Sequence, residues 1–334
     1  MSILRILAFV SLWIAASALP AAKPVKKLDQ SRSDVRKFVE EMTAEHGFER
    51  SELVELLAEI EIQQSILDAI SRPAEKTKPW HEYREIFITE ERIRRGVDFW
   101  NANTEAVKET AHAFGIPPEI VVAIIGVETY YGRRTGSYRV IDALGTLAFD
   151  YPPRAKFFRS ELKHFLLLSR EESVQALEAT GSYAGAMGMP QFMPSSYRSY
   201  AVDSDEDGRR DLWANLNDVL GSVANYLHVH GWQPSQPVAV RAEPNCEEFS
   251  LAGDSLEIKE TVSSLRERGL RIDTELPDDT PALLIALDAK DGKEYWVGFK
   301  NFYVITRYNR SLMYAMAIHQ LGREIAGEMN DERT

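Results

Sequence analysis

The chain has 334 residues, of which 44% are hydrophobic and 27% charged, and its net charge is −12. That length supports a sizeable core in one large or two to three smaller domains. The acidic balance argues against nucleic acid or an anionic membrane as the main partner, and a single cysteine, Cys246, excludes an intramolecular disulfide.

At the N-terminus Arg5 precedes an apolar run from Ile6 to Ala16, and Ala16-Ser17-Ala18 has the A-x-A form of a cleavage site. Residues 1–18 therefore read as a secretory signal peptide, too short and wrongly flanked for a membrane span, with an uncleaved anchor as the alternative. No thiol stands near it for lipid attachment. A soluble periplasmic protein with no stable membrane anchor after cleavage is expected.

Residues 24–115 are expected to form an N-terminal helical domain. Ser51 is a candidate cap for a helix through Leu53, Leu56, Leu57, Ile60 and Ile62, with Pro73 beyond its end. Trp80-His81-Glu82-Tyr83-Arg84 breaks that pattern with aromatics after Pro79, and Phe99 and Trp100 lie on another helix leading to Gly115. Core packing accounts for these aromatics on general grounds. His81 reads as a surface or packing residue.

The stretch PPEIVVAIIGVETYYG, Pro117 to Gly132, is the focus of the chain. Two prolines suit the first turn of a helix, and the run from Ile120 to Val127 is apolar on every face, hence buried in whichever structure it takes. So many β-branched residues also suit a buried strand; the Pro-Pro start and the Gly132 stop favour helix. Glu128 is the one carboxylate at the end of this run. Buried and alone, it would hold its proton near neutral pH as a general acid requires; half exposed, it would pair with Arg133 or Arg134 as a structural acid. The stretch by itself leaves both readings open.

Gly181 to Tyr197 is dense in Gly, Ala, Ser and Met. Small residues let a backbone approach a ligand closely, yet the pattern alone assigns no chemistry, and Met187, Met189 and Met193 read as packing. Asp203-Ser204-Asp205-Glu206-Asp207-Gly208 opens like an EF-hand loop, with carboxylates at positions one, three and five, glycine at six and the Arg209 carbonyl at seven. Ala214 occupies position twelve, so the loop is not a regular EF-hand; Asp211 could contribute through water, and a solvated acidic turn is the alternative. Without a Cys or His cluster, zinc is not expected. On the helix from Gly221 to Gly231, His228 and His230 face different ways and are not read as ligands.

From Pro234 the composition changes. Strand-like segments at Val238–Arg241, 281–287 and 295–299, with a hairpin turn at Asp291-Gly292, indicate a small β-rich domain at 236–298 to which no chemistry attaches. Residues 299–328 return to helix: Arg307 to Ser311, with Asn309 as a candidate cap, precede a helix from Leu312 to Ala326, and Asn330 to Thr334 read as frayed.

Five blocks in order, GVETYYG, DALGTLAFDYPPR, GSYAGAMGMPQFMPSSYRSYAVDSDEDG, GSVANYLHVHGW and NFYVITRYNRSLMYAMAI, resemble the lytic murein transglycosylase B family, its membrane-bound member and soluble relatives. The resemblance implies a mainly α (α+β) fold: a lysozyme-like core at 116–235 with an EF-hand-like cation loop, flanked by the helical and β-rich domains. It implies that Glu128 is the single catalytic acid/base, and that Tyr83, Ser182, Gln191, Tyr226, Asn309 and Tyr314 line the substrate groove. Relatives often carry two arginines suited to stem-peptide carboxylates; here Pro153 takes the first position and Arg154 the second. Asp203, Asp205, Asp207 and Arg209, closed by Asp218, are the implied ligands of a structural Ca2+ or Na+, with no organic cofactor. The implied activity is cleavage of peptidoglycan glycan strands between N-acetylmuramic acid and N-acetylglucosamine, leaving 1,6-anhydromuramic acid ends. A hydrolytic muramidase and a non-catalytic peptidoglycan-binding protein are the alternatives, and cell-wall synthesis or remodelling proteins are candidate partners.

Overall fold

The computed structural model describes residues 26–72, 78–246 and 251–331. The signal segment at 1–18 and Pro73 lie outside the described residues. The chain begins with a short strand β1 (Lys26–Lys27) and the helices α1 (Ser33–His46) and α2 (Arg50–Ala58). Ser51 is not the cap: Glu49 holds that position, and α2 stops at Ala58. Glu61–Ile62 is strand β2, antiparallel to β1, rather than more helix. The cause is tertiary, since Asp142 Oδ1 accepts from Glu61 N at 2.9 Å and Thr146 Oγ1 accepts from Gln63 N at 3.1 Å, which holds these residues extended.

After α3 (Gln64–Ile70) comes α4 (Trp80–Phe87), so the aromatic stretch is itself helical, with Pro79 at the N-cap where its missing N–H costs nothing. Trp80 and Tyr83 lie three apart and share its buried face. Two helices replace the one expected before Gly115: α5 (Glu90–Ala102), capped by Thr89, and α6 (Thr104–Phe114), ended by Gly115 in left-handed backbone. Helix α7 (Pro118–Thr129) is buried continuously from Ile120 to Gly126. It ends before Gly132, with Tyr130, Tyr131 and Gly132 all at positive φ (54°, 59° and 78°). Tyr131 folds its ring back onto Gly126, where a Cβ would come within 2.6 Å of it, and donates to Arg92 O at 2.8 Å.

Strand β3 (Tyr138–Arg139) leads into α8 (Val140–Asp150), buried from Val140 to Phe149, and a 3-10 turn at Pro152–Arg154 joins it to α9 (Ala155–Glu171). Strand β4 (Thr180–Gly181) pairs with β3, and α10 (Pro194–Tyr200) and α11 (Leu216–Val229) follow.

The β-rich segment contains β5 (Ala239–Pro244), β6 (Glu260–Thr261), α12 (Val262–Glu267), β7 (Leu270–Ile272), β8 (Pro281–Ala289) and β9 (Gly292–Gly298). They form one antiparallel sheet in the order β6-β8-β9-β5-β7. Ala289 pairs with Gly292, so the hairpin turn is Lys290-Asp291, with Gly292 (φ 108°) as the first residue of β9. Alternation along β8 gives the sheet two apolar faces: Leu283, Ile285 and Leu287 join the main core, while Ala282 and Leu284 join a second, smaller core with Val262 and Leu265 of α12.

The chain closes with α13 (Lys300–Tyr308) and α14 (Leu312–Asp331). Ser311, not Asn309, caps α14, its Oγ accepting from Tyr314 N at 3.2 Å; Asn309 ends α13 in extended backbone. Helix α14 also runs past Ala326 through Asp331, so Asn330 and Asp331 are helical rather than frayed, with 332–334 outside the described residues, and it packs against α4, α5, α7 and α13. Among the described residues no single helix is long and apolar enough to cross a membrane.

Candidate active site

Glu128 sits in the last turn of α7, partly buried, and Tyr314 from the first turn of α14 donates its hydroxyl to Glu128 Oε1 at 2.6 Å. The packing of α14 on α7 brings together two residues 186 positions apart. Tyr314 is only 3% exposed, and its ring stacks on Tyr308 (6.5 Å, 13°). Burial first, and then the charge of Glu128, hold both the Tyr308 and Tyr314 phenols well above the ordinary tyrosine value. They therefore stay protonated and act as hydrogen-bond donors. Glu128 is half buried and joined to a buried tyrosine, and the Arg134 guanidinium lies over the Tyr130 ring at 5.0 Å.

Aromatic residues from four segments extend this wall. Tyr308 donates to Pro190 O at 2.7 Å, and its ring lies 4.8 Å from that of Tyr226 on α11 and 5.7 Å from Phe192. Tyr226 donates to Arg307 O at 2.6 Å, and burial and then Tyr200 push its phenol up to about 12. Tyr83 is buried against Trp80 and Phe87, and its phenol adds to the electrostatic environment of Tyr314. Glu128 and Tyr314 thus meet directly, Tyr83 acts on Tyr314 through its electrostatic field, and Tyr226 reaches them through Tyr308. Tyr308 carries no sequence signal of its own, although it lies in the same block as Asn309 and Tyr314. The partly buried Asn309 follows it in the chain.

The loop between β4 and α10 is tied to the end of α7 by Thr129, whose Oγ1 donates to Met189 O at 2.9 Å. Gln191, at φ 52°, donates from Nε2 to Gly188 O (2.9 Å) and Thr135 O (3.1 Å). Ser182 Oγ accepts from Ala186 N at 3.0 Å and Ala184 N at 3.3 Å, which closes the loop on itself. Small residues here let the chain approach itself: a Cβ on Gly136 would lie 2.0 Å from Gly181 O, and one on Gly181 would lie 2.2 Å from Ala186 O. Met187 is fully buried, with Met189 and Met193 packed against the same core. Arg154 is exposed at the start of α9, its guanidinium over the rings of Phe157 (4.3 Å) and Phe158 (5.1 Å).

In the acidic loop, carboxylate oxygens of Asp203, Asp205 and Asp218 lie within 4.8 Å of one another. Asp203 accepts the N–H groups of Asp207 (3.1 Å) and Gly208 (2.8 Å), and Asp218 those of Ser204 (2.7 Å) and Asp211 (2.8 Å). Asp207 falls outside this trio, its Oδ1 accepting from Arg209 N, and the Asp211 carboxylate is engaged by the N–H groups of Trp213 and Ala214. Burial, followed by the neighbouring charges of Asp205 and Asp203, raises the Asp218 carboxyl above its usual range. Three hard oxygen donors crowded around one point fit calcium or sodium.

The family model of the Transglycosylase SLT domain matches residues 30–323. The chain is 43% identical over 302 residues to membrane-bound lytic murein transglycosylase B of Escherichia coli (strain K12), covering 88% of this chain and 82% of that protein. Its structure is similar to soluble lytic transglycosylase SltB1 from Pseudomonas aeruginosa, with a TM-score of 0.83 and 54% identity over 88% of this chain and 98% of that one. It is also similar to Escherichia coli lytic transglycosylase Slt35 in complex with calcium, with a TM-score of 0.83 and 41% identity over 91% and 96% of the two chains.

Proposed function

Because the chain belongs to the Transglycosylase SLT domain family, we propose that it is a lytic murein transglycosylase in which Glu128 works alone as acid and base. The observation that carries the assignment of Glu128 is its 2.6 Å hydrogen bond from the buried Tyr314. Two-carboxylate glycosidases need a second acid as base or nucleophile; a transglycosylase has no water to activate. Glu128 protonates the glycosidic oxygen between N-acetylmuramic acid and N-acetylglucosamine, and the C1–O bond breaks while the substrate's own N-acetyl group stabilises the developing cation. The carboxylate then takes the proton of the muramic acid 6-hydroxyl as that oxygen attacks C1. The product end is 1,6-anhydromuramic acid, and no water is consumed. Tyr314 favours the carboxylate that Glu128 becomes after the first transfer. Water exclusion and placement of the 6-hydroxyl carry the rest of the rate.

Tyr83, Ser182, Gln191, Tyr226, Asn309 and Tyr314 form the groove in this reading, with Arg154 available to a stem-peptide carboxylate. Asp203, Asp205 and Asp218 would hold a calcium ion of structural role, supported by their clustering and by the calcium complex of Slt35. Residues 1–18, as a secretory signal, would deliver the protein to the periplasm, where its substrate lies. The test is Glu128→Gln: glycan binding should persist while turnover falls by about a thousandfold, in the range for loss of general acid–base catalysis. Turnover retained in that variant would remove Glu128 from the chemistry.

A further inference from the structure

A cavity of about 440 Å³ lies where the sheet meets α4 and α14, and none of the groove residues named above lines it. Arg84, Arg241, Arg323, Glu294, Glu324 and Trp296 line it. Arg241 and Trp296 are partners across β5 and β9, so their side chains share a face of the sheet. Arg84 follows Tyr83 directly and donates to Gln320 Oε1 at 2.8 Å. The charges are weakly committed to one another: Arg241 and Glu294 stand 3.7 Å apart, and among the described residues neither Arg323 nor Glu324 has an ion-pair partner. Two buried atoms here lack any hydrogen-bond partner, Trp296 Nε1 (a side chain 6% exposed) and Glu294 Oε1. Among the described residues a buried donor and a buried acceptor of this lining are thus both unmet, which is costly unless something supplies the missing partners.

We propose that this cavity binds a zwitterionic amino-acid group at the end of a short peptide. The guanidiniums of Arg84, Arg241 and Arg323, with the Trp296 indole N–H, take the carboxylate; Glu294 and Glu324 take the ammonium. A simple anion would leave two carboxylates facing it, and a simple cation three guanidiniums. The volume is in the range of small-molecule sites. Tyr314 and Gln320 are six positions apart, about 9 Å along α14, a span that two or three peptide residues cover at about 3.5 Å each. Two sources share this chemistry: a stem peptide still attached to the glycan strand, which rests on the function proposed above, and a peptide already released.

The test is calorimetry on the full chain with three probes: meso-diaminopimelic acid, zwitterionic at both ends, pimelic acid, which keeps only the carboxylates, and 1,5-diaminopentane, which keeps only the amines. The first is expected to bind and the others at least tenfold more weakly. Arg241→Gln with Arg323→Gln, both at exposed positions, should weaken diaminopimelate binding at least tenfold, and Trp296→Phe severalfold. Equal binding of pimelate or diaminopentane, no binding of diaminopimelate, or unchanged binding in the double variant overturns the proposal. The source is then read from KM on glycan strands with and without stem peptides. An attached peptide predicts a severalfold rise in KM for the double variant on peptide-bearing strands alone; a released peptide predicts no change on either. Binding with no turnover on any glycan would contradict the proposed function and leave this site standing.

Discussion

Tyr314→Phe isolates the contact on which the assignment of Glu128 rests. The substitution removes one hydroxyl and keeps a ring that is 3% exposed and stacked on Tyr308, so the packing of α14 on α7 should survive. The lost bond is short, 2.6 Å, partly buried and made to a carboxylate. A hydrogen bond to a charged group contributes about 1.5–3 kcal/mol. At about 1.36 kcal/mol per tenfold in rate, that is a roughly ten- to hundredfold loss in kcat/KM. The phenol donates to Glu128 itself, so most of the loss should appear in kcat, with a smaller change in KM from its place in the groove. The assay is the initial rate of release of soluble muropeptides from purified peptidoglycan, with thermal unfolding run in parallel. A folded Tyr314→Phe protein retaining activity within about threefold of wild type would refute the reasoning.

Three further outcomes follow from the geometry. Burial drives the imidazole of His319 down to about 4, so as the pH falls from about 6.5 toward 4 the unfolded chain binds a proton that the folded chain refuses, and stability drops by roughly 3 kcal/mol at most. His319→Phe should remove this loss, seen as a smaller fall in the urea midpoint between neutral and acid pH; an equal fall in both proteins contradicts the argument. Calcium at 100 to 1,000 times its dissociation constant should stabilise the protein by about 3–4 kcal/mol, and Asp218→Asn should abolish the accompanying rise in Tm. Gly136→Ala places a Cβ 2.0 Å from Gly181 O at a φ of 95°, a backbone clash expected to cost about 2–4 kcal/mol in denaturant unfolding.

Much of the site was legible because its residues lie in dense local blocks. Glu128 stands out as the one acid closing an apolar run, and the Asp203–Gly208 spacing gives the cation loop a signature. What stayed hidden depends on partners far away in the chain. Glu61 to Gln63 leave the helix because Asp142 and Thr146, some eighty residues later, bind the backbone of Glu61 and Gln63. The strands β6 and β7 and the helix α12 are too short for a periodic signal. Tyr130 and Tyr131 adopt left-handed backbone although neither is glycine, because the Tyr131 ring is drawn onto Gly126. Tyr308 reads as an ordinary helical aromatic until α13 brings it between Tyr226 and Tyr314.

The most direct measurement is mass spectrometry of the soluble products when purified peptidoglycan is digested by the mature protein in 18O-labelled water. Muropeptides ending in 1,6-anhydromuramic acid with no label are expected, at about a thousandth of the rate with Glu128→Gln. Reducing muramic acid ends carrying the label would mean that water, not the 6-hydroxyl, attacks C1, and would contradict the proposed function.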